Sequence, residues 1–170
     1  MEEWVNNMTP KDVLQQSMSV YKDSIKTRIK LLGKQILFVD DSQEMLTLIE
    51  TRLRDKNLLE GYWMMSNPVF AKHTLDWLMS EGVLLSDYIK CAVLDIDFGI
   101  YNKDISVNDL VKILVEYNVP VILYSAIQES KWHSYVDSKF HDKVEFISKV
   151  DIQAINKIYT VITEKESIAL

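Results

Sequence analysis

The chain has 170 residues, of which 48% are hydrophobic and 26% are charged, and its net charge is -6. These proportions are ordinary for a globular protein, and the length is sufficient to bury a core. The acidic balance argues against nucleic-acid binding, the single cysteine excludes an internal disulfide, and no apolar run is long enough to span a membrane. Because the N-terminus also lacks signal-peptide character, we expect a cytoplasmic protein.

Residues 1–34 are predicted to form an N-terminal extension containing one amphipathic helix. Thr9, Pro10 and Asp12 supply an N-cap, a proline at the first helical position and an acid at the third. An apolar stripe follows at steps of three and four residues, formed by Leu14, Met18, Tyr21, Ile25, Ile29 and Leu32. We expect a helix over residues 9–32, whose apolar face packs either on the following domain or on a second copy of the chain as a homodimer.

After Gly33 the pattern changes to strands that alternate with helices. Short apolar runs predict strands at residues 35–39, 62–65, 89–94, 119–124 and 143–148. Helical periodicity and capping signals predict helices at residues 42–56, 68–79, 106–117, 129–139 and 151–165. Strict alternation implies an α/β fold with one doubly wound, five-stranded parallel sheet covered on both faces. The predicted domain therefore spans residues 35–165, followed by a tail at 166–170.

The helical periodicity also predicts which side chains face the sheet. In the helix at 42–56 these are Met45, Leu46, Ile49 and Leu53. In the helix at 68–79 they are Val69, Phe70, Leu75 and Leu78. In the last helix they are Ile152, Ile155, Ile158 and Ile162. The first and last sets recur mainly at steps of three or four residues, which places their members on one side of a helix.

Polar residues of chemically useful kinds follow four of the predicted strands. Asp40 and Asp41 follow the first strand, Asp95 the third, Ser125 the fourth and Lys149 the fifth. An acid after a strand is often no more than a helix N-cap. However, the carboxyl ends of parallel strands meet at one edge of a sheet, so these five side chains are expected to lie together. Three carboxylates, a hydroxyl and an ammonium suit a divalent cation and a transferred phosphoryl group.

The motifs at these strand ends resemble those of the receiver domain of two-component response regulators. They read ILFVDD up to Asp41, CAVLD up to Asp95, VPVILYSA up to Ala126 and FISK up to Lys149. Each motif is weak alone, but their order and spacing together are similar to the family pattern. The resemblance covers residues 35 to about 165 and implies the flavodoxin-like sheet of the receiver type.

The resemblance implies a phosphoprotein with a magnesium site. Asp95 would accept a phosphoryl group from a histidine kinase or phosphotransfer protein. Asp41 and Asp95 would bind Mg²⁺ directly, with the backbone carbonyl of Asp97 as a third protein ligand. Asp40 would act on the cation through water. Clustered carboxylates need a cation before an anionic phosphoryl group can approach them.

The resemblance also implies a switch rather than an enzyme. Lys149 would pair with one phosphoryl oxygen, Ser125 would bind another and shift on phosphorylation, and Phe146 occupies the aromatic switch position. No recognisable output domain follows the last helix, so we expect a stand-alone response regulator in phosphorelay signal transduction. Its switched face, formed by residues 129–139, the fifth strand and the last helix, would bind a downstream protein target and not DNA.

Two alternatives remain open. The loop from Asp95 to Gly99 lacks the family's usual proline and contains a further acid at Asp97, while Val150 replaces the usual proline after Lys149. These departures allow a pseudo-receiver that acts as an interaction module without phosphorylation. The Asp-x-Asp stretch from Asp95 to Asp97 also resembles the nucleophile motif of haloacid-dehalogenase-type phosphatases. Motif order opposes that alternative, because the Asp-x-Asp pair normally comes first in those enzymes and the paired acids last.

Overall fold

The five apolar runs pair into a single parallel sheet in the computed structural model of the chain. The strands are β1 (Gln35–Val39), β2 (Gly61–Met65), β3 (Ile89–Leu94), β4 (Val121–Ser125) and β5 (Val144–Ser148). Their order is β2-β1-β3-β4-β5, and every neighbouring pair is parallel. This is the order of flavodoxin-like doubly wound sheets, so the predicted fold class is confirmed.

The structure describes residues 19–25, 27, 31, 33–56 and 61–164. The chain divides into two units, Met1–Gly33 and Lys34–Leu170. In the first unit, residues 19–25, 27 and 31 are helical. Most of the helix predicted over residues 9–32 lies outside the described residues, as does the tail at 166–170. The packing of that helix, on this chain or on a second copy, therefore stays a prediction.

Within residues 33–56 and 61–164, four helices of ten or more residues connect and follow the strands. They are α1 (Gln43–Arg54), α2 (Pro68–Ser80), α3 (Val107–Glu116) and α4 (Ala154–Glu164). Side chains fix where the first three begin: Ser42 and Asn67 accept backbone N–H bonds at 3.2 and 3.0 Å, and the Ser106 N–H donates to Asp109 at 2.8 Å. Among the described residues, no helix combines the length and the apolar character that a bilayer crossing requires.

The strands are buried because helices cover both faces of the sheet. Leu46, Ile49 and Leu53 of α1 join Ile158 and Ile162 of α4 in one core cluster on one face. Helices α2 and α3 cover the other face. Strands β1 and β4 are buried at every residue, which explains why four consecutive residues of each, 36–39 and 121–124, are hydrophobic.

The predicted inner faces are wrong at two positions. Phe70 is 38% exposed, because the buried side of α2 is formed instead by residues that include Ala71, Thr74 and Leu75. Ile152 is 94% exposed, because α4 begins only at Ala154 and Ile152 lies in the preceding turn. Phe70 therefore lies off the packed side of α2, and Ile152 lies before α4 begins.

The helix predicted at residues 129–139 is also wrong. Two 3₁₀ segments, Glu129–Ser134 and Ser138–Lys143, occupy this part of the chain. The backbone between them is extended at Asp137, whose N–H donates to the Asn108 side chain at 2.9 Å. An α-helix cannot continue through an extended residue, so this bond between distant parts of the chain overrides the local pattern. A one-turn helix at Leu85–Tyr88 was not predicted.

Candidate functional site

The sheet places two of the predicted acids side by side. Asp40 follows β1 and Asp95 follows β3, at the point where the strand order reverses and open α/β sheets form their binding crevice. The Asp95 N–H donates to the Val39 carbonyl at 2.8 Å, and the Asp40 N–H donates to the Met65 carbonyl at 3.2 Å. These bonds extend the hydrogen-bond ladders of the sheet by one residue and so fix the backbone positions from which both carboxylates project.

Lys149 enters the same site from β5. Its backbone N–H donates to the Ser125 carbonyl at 2.8 Å, and its ammonium donates to the carboxylate of Asp40 at 2.7 Å and to that of Asp95. Burial is the largest single influence on the pKa of Lys149 and lowers it, but the bonds to the two acids outweigh burial and raise the pKa above its ordinary value. The ammonium therefore remains charged and neutralises part of the acid cluster.

The donor atoms of the cluster fit a hard divalent cation. Carboxylate oxygens of Asp40, Asp41 and Asp95 lie within 4.8 Å of one another. Burial raises the pKa of Asp41, and the neighbouring charges of Asp40 and Asp95 raise it further. Three carboxylates against the single ammonium of Lys149 leave an excess of negative charge. An all-oxygen set with excess negative charge is what Mg²⁺ prefers.

A cavity of about 350 Å³ opens beside these acids. It is lined by Asp41, Asp95, Asp97, Gly99, Ser125, Ala126 and Ile127. Ser125 is buried at the end of β4, so the hydroxyl predicted to bind a phosphoryl oxygen shares this cavity with the predicted phosphoacceptor. The small Ala126 side chain leaves space next to it.

Of the two remaining predicted residues, Asp97 lines this cavity and Phe146 is not part of its lining. The carboxylate of Asp97 accepts hydrogen bonds from the side chain of Asn102 at 2.6 Å and from the Gly99 N–H at 3.0 Å. These bonds lower the pKa of Asp97, the bond from Asn102 most. Phe146, in β5, stacks on Trp132 with ring centroids 6.3 Å apart and planes inclined by 5°. Phe146 thus contacts the first 3₁₀ segment rather than the cavity.

Sequence reasoning missed three residues that shape the site. Asn102 engages Asp97, as described above. Gly99 has φ +53°, which favours glycine, and a Cβ there would lie 2.5 Å from Asp41 Oδ2, so any other residue would displace the Asp41 carboxylate. The ring of Tyr124 has the Lys149 ammonium 5.6 Å from its centroid, a cation–π distance. A glycine and an asparagine in the loop after Asp-x-Asp were the available signal, whereas Tyr124 reads only as a strand residue.

The sequence matches no protein-family model and no curated protein. Its similar solved structures are receiver domains. A response regulator receiver domain from Rhodospirillum rubrum has a TM-score of 0.56 and 16% identity over 78% of this chain and 94% of its own. A two component response regulator from Cytophaga hutchinsonii has a TM-score of 0.53 and 16% identity over 77% of this chain and 97% of its own. The response regulator domain of Thermotoga maritima CheB has a TM-score of 0.53 and 14% identity over 77% of this chain and 94% of its own. The chain therefore has the fold of response regulator receiver domains.

Proposed function

We propose that this domain is a phosphoacceptor switch of two-component signalling, which takes a phosphoryl group on Asp95 from a histidine kinase or phosphotransfer protein. One observation carries the proposal: the partly buried Lys149 ammonium lies between Asp40 and Asp95, residues 109 and 54 positions away in the chain. The Asp40 carboxylate does accept the Ser42 N–H at 2.9 Å, as a turn-forming acid would. A local role of that kind needs no lysine from the end of another strand.

The proposed chemistry assigns each group a task. An oxygen of Asp95 attacks the phosphorus of the donor, a P–O bond forms, and the bond to the donor's histidine nitrogen breaks with its electron pair left on the imidazole. Asp41, Asp95 and the backbone carbonyl of Asp97 would hold Mg²⁺, with Asp40 acting through water. When bound, the cation supplies charge neutralisation for the transferred group. Lys149 then redirects its ammonium from the Asp95 carboxylate to a phosphoryl oxygen.

The proposed output runs through the end of β4 and through β5. The Ser125 hydroxyl donates to a phosphoryl oxygen, which draws the end of β4 toward the site. Phe146 responds and changes its stacking on Trp132, which belongs to the first 3₁₀ segment. The two 3₁₀ segments, β5 and α4 then form the face that binds a downstream protein target. This face replaces the helix-containing face predicted from the sequence.

The hydrogen bonding of Asp97 weighs against the phosphatase alternative. A phosphatase of the haloacid-dehalogenase type needs the second acid of Asp-x-Asp to donate a proton. Here that carboxylate accepts bonds from Asn102 and Gly99, and its pKa is lowered by them. An acid held ionised in this way is a poor proton donor. The geometry therefore supports a phosphoacceptor over a phosphatase.

Intact-mass measurement of the full chain with Mg²⁺ and acetyl phosphate tests the proposal. Wild type should gain one phosphoryl group, and a chelator should prevent the gain. Asp95→Asn keeps the shape but removes the nucleophile, so it should gain none, and Asp41→Ala should gain none because it loses the cation. Ser125→Ala should still be labelled. The matched control is Asp104→Asn, an acid-to-amide change at an exposed position, which should be labelled like wild type.

The other outcomes identify which alternative is right. Wild type that binds Mg²⁺ but never gains the phosphoryl mass is a pseudo-receiver. If wild type binds neither Mg²⁺ nor a phosphoryl group, the acids at the strand ends only cap helices and turns. Steady turnover of a small phosphate ester would favour the phosphatase.

A further inference from the structure

The loop that follows Asp95 is closed by the side chain of one asparagine. The Asn102 carbonyl oxygen accepts the Phe98 N–H at 3.0 Å, and its amide nitrogen donates to the Asp97 carboxylate at 2.6 Å. The same carboxylate oxygen accepts the Gly99 N–H at 3.0 Å. The Phe98 side chain is fully buried, which anchors the loop to the core. Two hydrogen bonds thus hold the Asp97 carboxylate against its own loop, and a third ties Asn102 to the same loop.

These bonds keep a fourth carboxylate out of the acid cluster. Asp97 lines the same cavity as Asp41 and Asp95, and its charge contributes to raising the pKa of Asp41. Among the described residues, however, the group whose donor oxygens lie within 4.8 Å of one another comprises Asp40, Asp41 and Asp95. Asp97 is therefore near the cluster, but its carboxylate is turned toward Asn102.

We infer that Asn102 determines the cation specificity of this site by withholding the Asp97 carboxylate from it. The inference rests on the proposed function, since it takes the acid cluster to be a cation site. Mg²⁺ demands octahedral geometry and keeps several waters, so it binds with few protein ligands, whereas Ca²⁺ accepts six to eight oxygens in flexible geometry. A free fourth carboxylate would favour the larger ion. With Asn102 in place, the loop offers the cation a backbone carbonyl and keeps the fourth carboxylate engaged.

Asn102 acts on the cation only through Asp97, so it is a positioning residue. Outer partners of this kind typically change metal affinity by about 10- to 100-fold when they are removed. A purely structural role for Asn102 makes a different prediction. If the side chain only stiffened the loop, its loss would weaken binding of both cations together, and the identity of residue 97 would not matter.

Calorimetric titration of the full, unphosphorylated chain with Mg²⁺ and with Ca²⁺ tests the inference. Asn102→Ala should lower the ratio of Mg²⁺ to Ca²⁺ affinity by about tenfold relative to wild type. Asn102→Asp keeps the size of the side chain but repels Asp97, so it should lower the ratio at least as far. Adding Asp97→Asn to Asn102→Ala should restore the ratio, because no fourth carboxylate is then available. Asp104→Asn, two residues away and exposed, should leave the ratio unchanged.

Each contrary outcome has its own meaning. An unchanged ratio in Asn102→Ala overturns the inference while leaving the proposed function intact. A lowered ratio that the double variant does not restore also overturns it, because the loop and not Asp97 would then be responsible. Wild type that binds neither cation, with Asp41→Ala indistinguishable from it, defeats the proposed function itself and this inference with it.

Discussion

Replacing Asp41 by asparagine should stabilise the cation-free protein while abolishing its response to Mg²⁺. Asp41 is the acid of the cluster that has no bond to Lys149, whose ammonium contacts Asp40 and Asp95. Burial and the charges of those two acids raise the pKa of Asp41 above 3.8. A raised pKa means that the ionised Asp41 carboxylate destabilises the folded state at neutral pH. An amide has nearly the same shape and removes that charge.

The magnitude follows from Coulomb's law. Asp41 experiences the charges of Asp40 and Asp95, with a smaller contribution from Asp97, against one ammonium at Lys149, which leaves roughly one net repulsive pair. At about 5 Å such a pair is worth about 1 kcal/mol at the dielectric constant of water and about 3 kcal/mol at an effective value of 20. Asp41 is only partly buried, so solvent screening favours the lower figure. We expect Asp41→Asn to raise the free energy of unfolding by about 1 kcal/mol, equivalent to about 3–5 °C in Tm for a domain of this size.

The pH dependence of this gain has a definite sign. Below 3.8 the Asp41 carboxyl is protonated in both the folded and the unfolded chain, so the variant and wild type should differ little. As pH rises above 3.8, the unfolded chain loses its proton first, and the destabilisation of wild type grows. The destabilisation is complete once the pH exceeds the raised pKa of Asp41 in the folded state. The advantage of Asp41→Asn should therefore be full at neutral pH and fade as the solution is acidified.

Thermal and urea unfolding followed by circular dichroism would measure the effect with chelator and with Mg²⁺. Wild type should gain about 2.7 kcal/mol when the free cation is at 100 times its Kd, and Asp41→Asn should gain nothing. Asp104→Asn makes the same change in net charge at an exposed position and should show neither effect. An Asp41→Asn variant that is less stable than wild type without cation, or that still responds to Mg²⁺, would refute the reasoning.

Two further substitutions test the geometry of the site. Gly99→Ala should weaken Mg²⁺ binding about tenfold in calorimetric titrations, because its Cβ would lie 2.5 Å from Asp41 Oδ2. The control is Gly82→Ala, which has a comparable φ of +74° but no atom within 4 Å, so it should share the backbone strain and bind Mg²⁺ like wild type. Equal Mg²⁺ affinity in the two variants would contradict the close approach. Lys149→Met should lower the free energy of unfolding, measured in urea at neutral pH, by about 3 kcal/mol. The reason is that it leaves Asp40 and Asp95, whose side chains are only 4% and 9% exposed, without a counter-charge. A loss within about 0.5 kcal/mol, the range of ordinary surface substitutions, would show that the ion pairs contribute little to stability.

Strand positions were predictable because buried parallel strands leave an unambiguous pattern in the sequence. β1 and β4 are short apolar runs that end in polar residues, and the alternation of such runs with helices is enough to imply the parallel sheet. The two 3₁₀ segments that replace the helix predicted at residues 129–139 were not predictable, because local periodicity there competes with the bond between Asp137 and Asn108, 29 residues earlier in the chain. The exposed Ile152 shows the same limit, since periodicity does not mark the first turn of a helix.

The order of residues along the chain was enough to predict the fold class and the five polar groups at the ends of four strands, because a parallel sheet gathers the carboxyl ends of its strands at one edge. It did not determine how those groups divide their contacts. The tertiary structure decided that Lys149 contacts both Asp40 and Asp95, and that Asp97 is held by Asn102. It also decided that Phe146 stacks on Trp132. These choices depend on distances of a few ångströms between side chains from different elements, and such distances exist only after the strands and loops have packed.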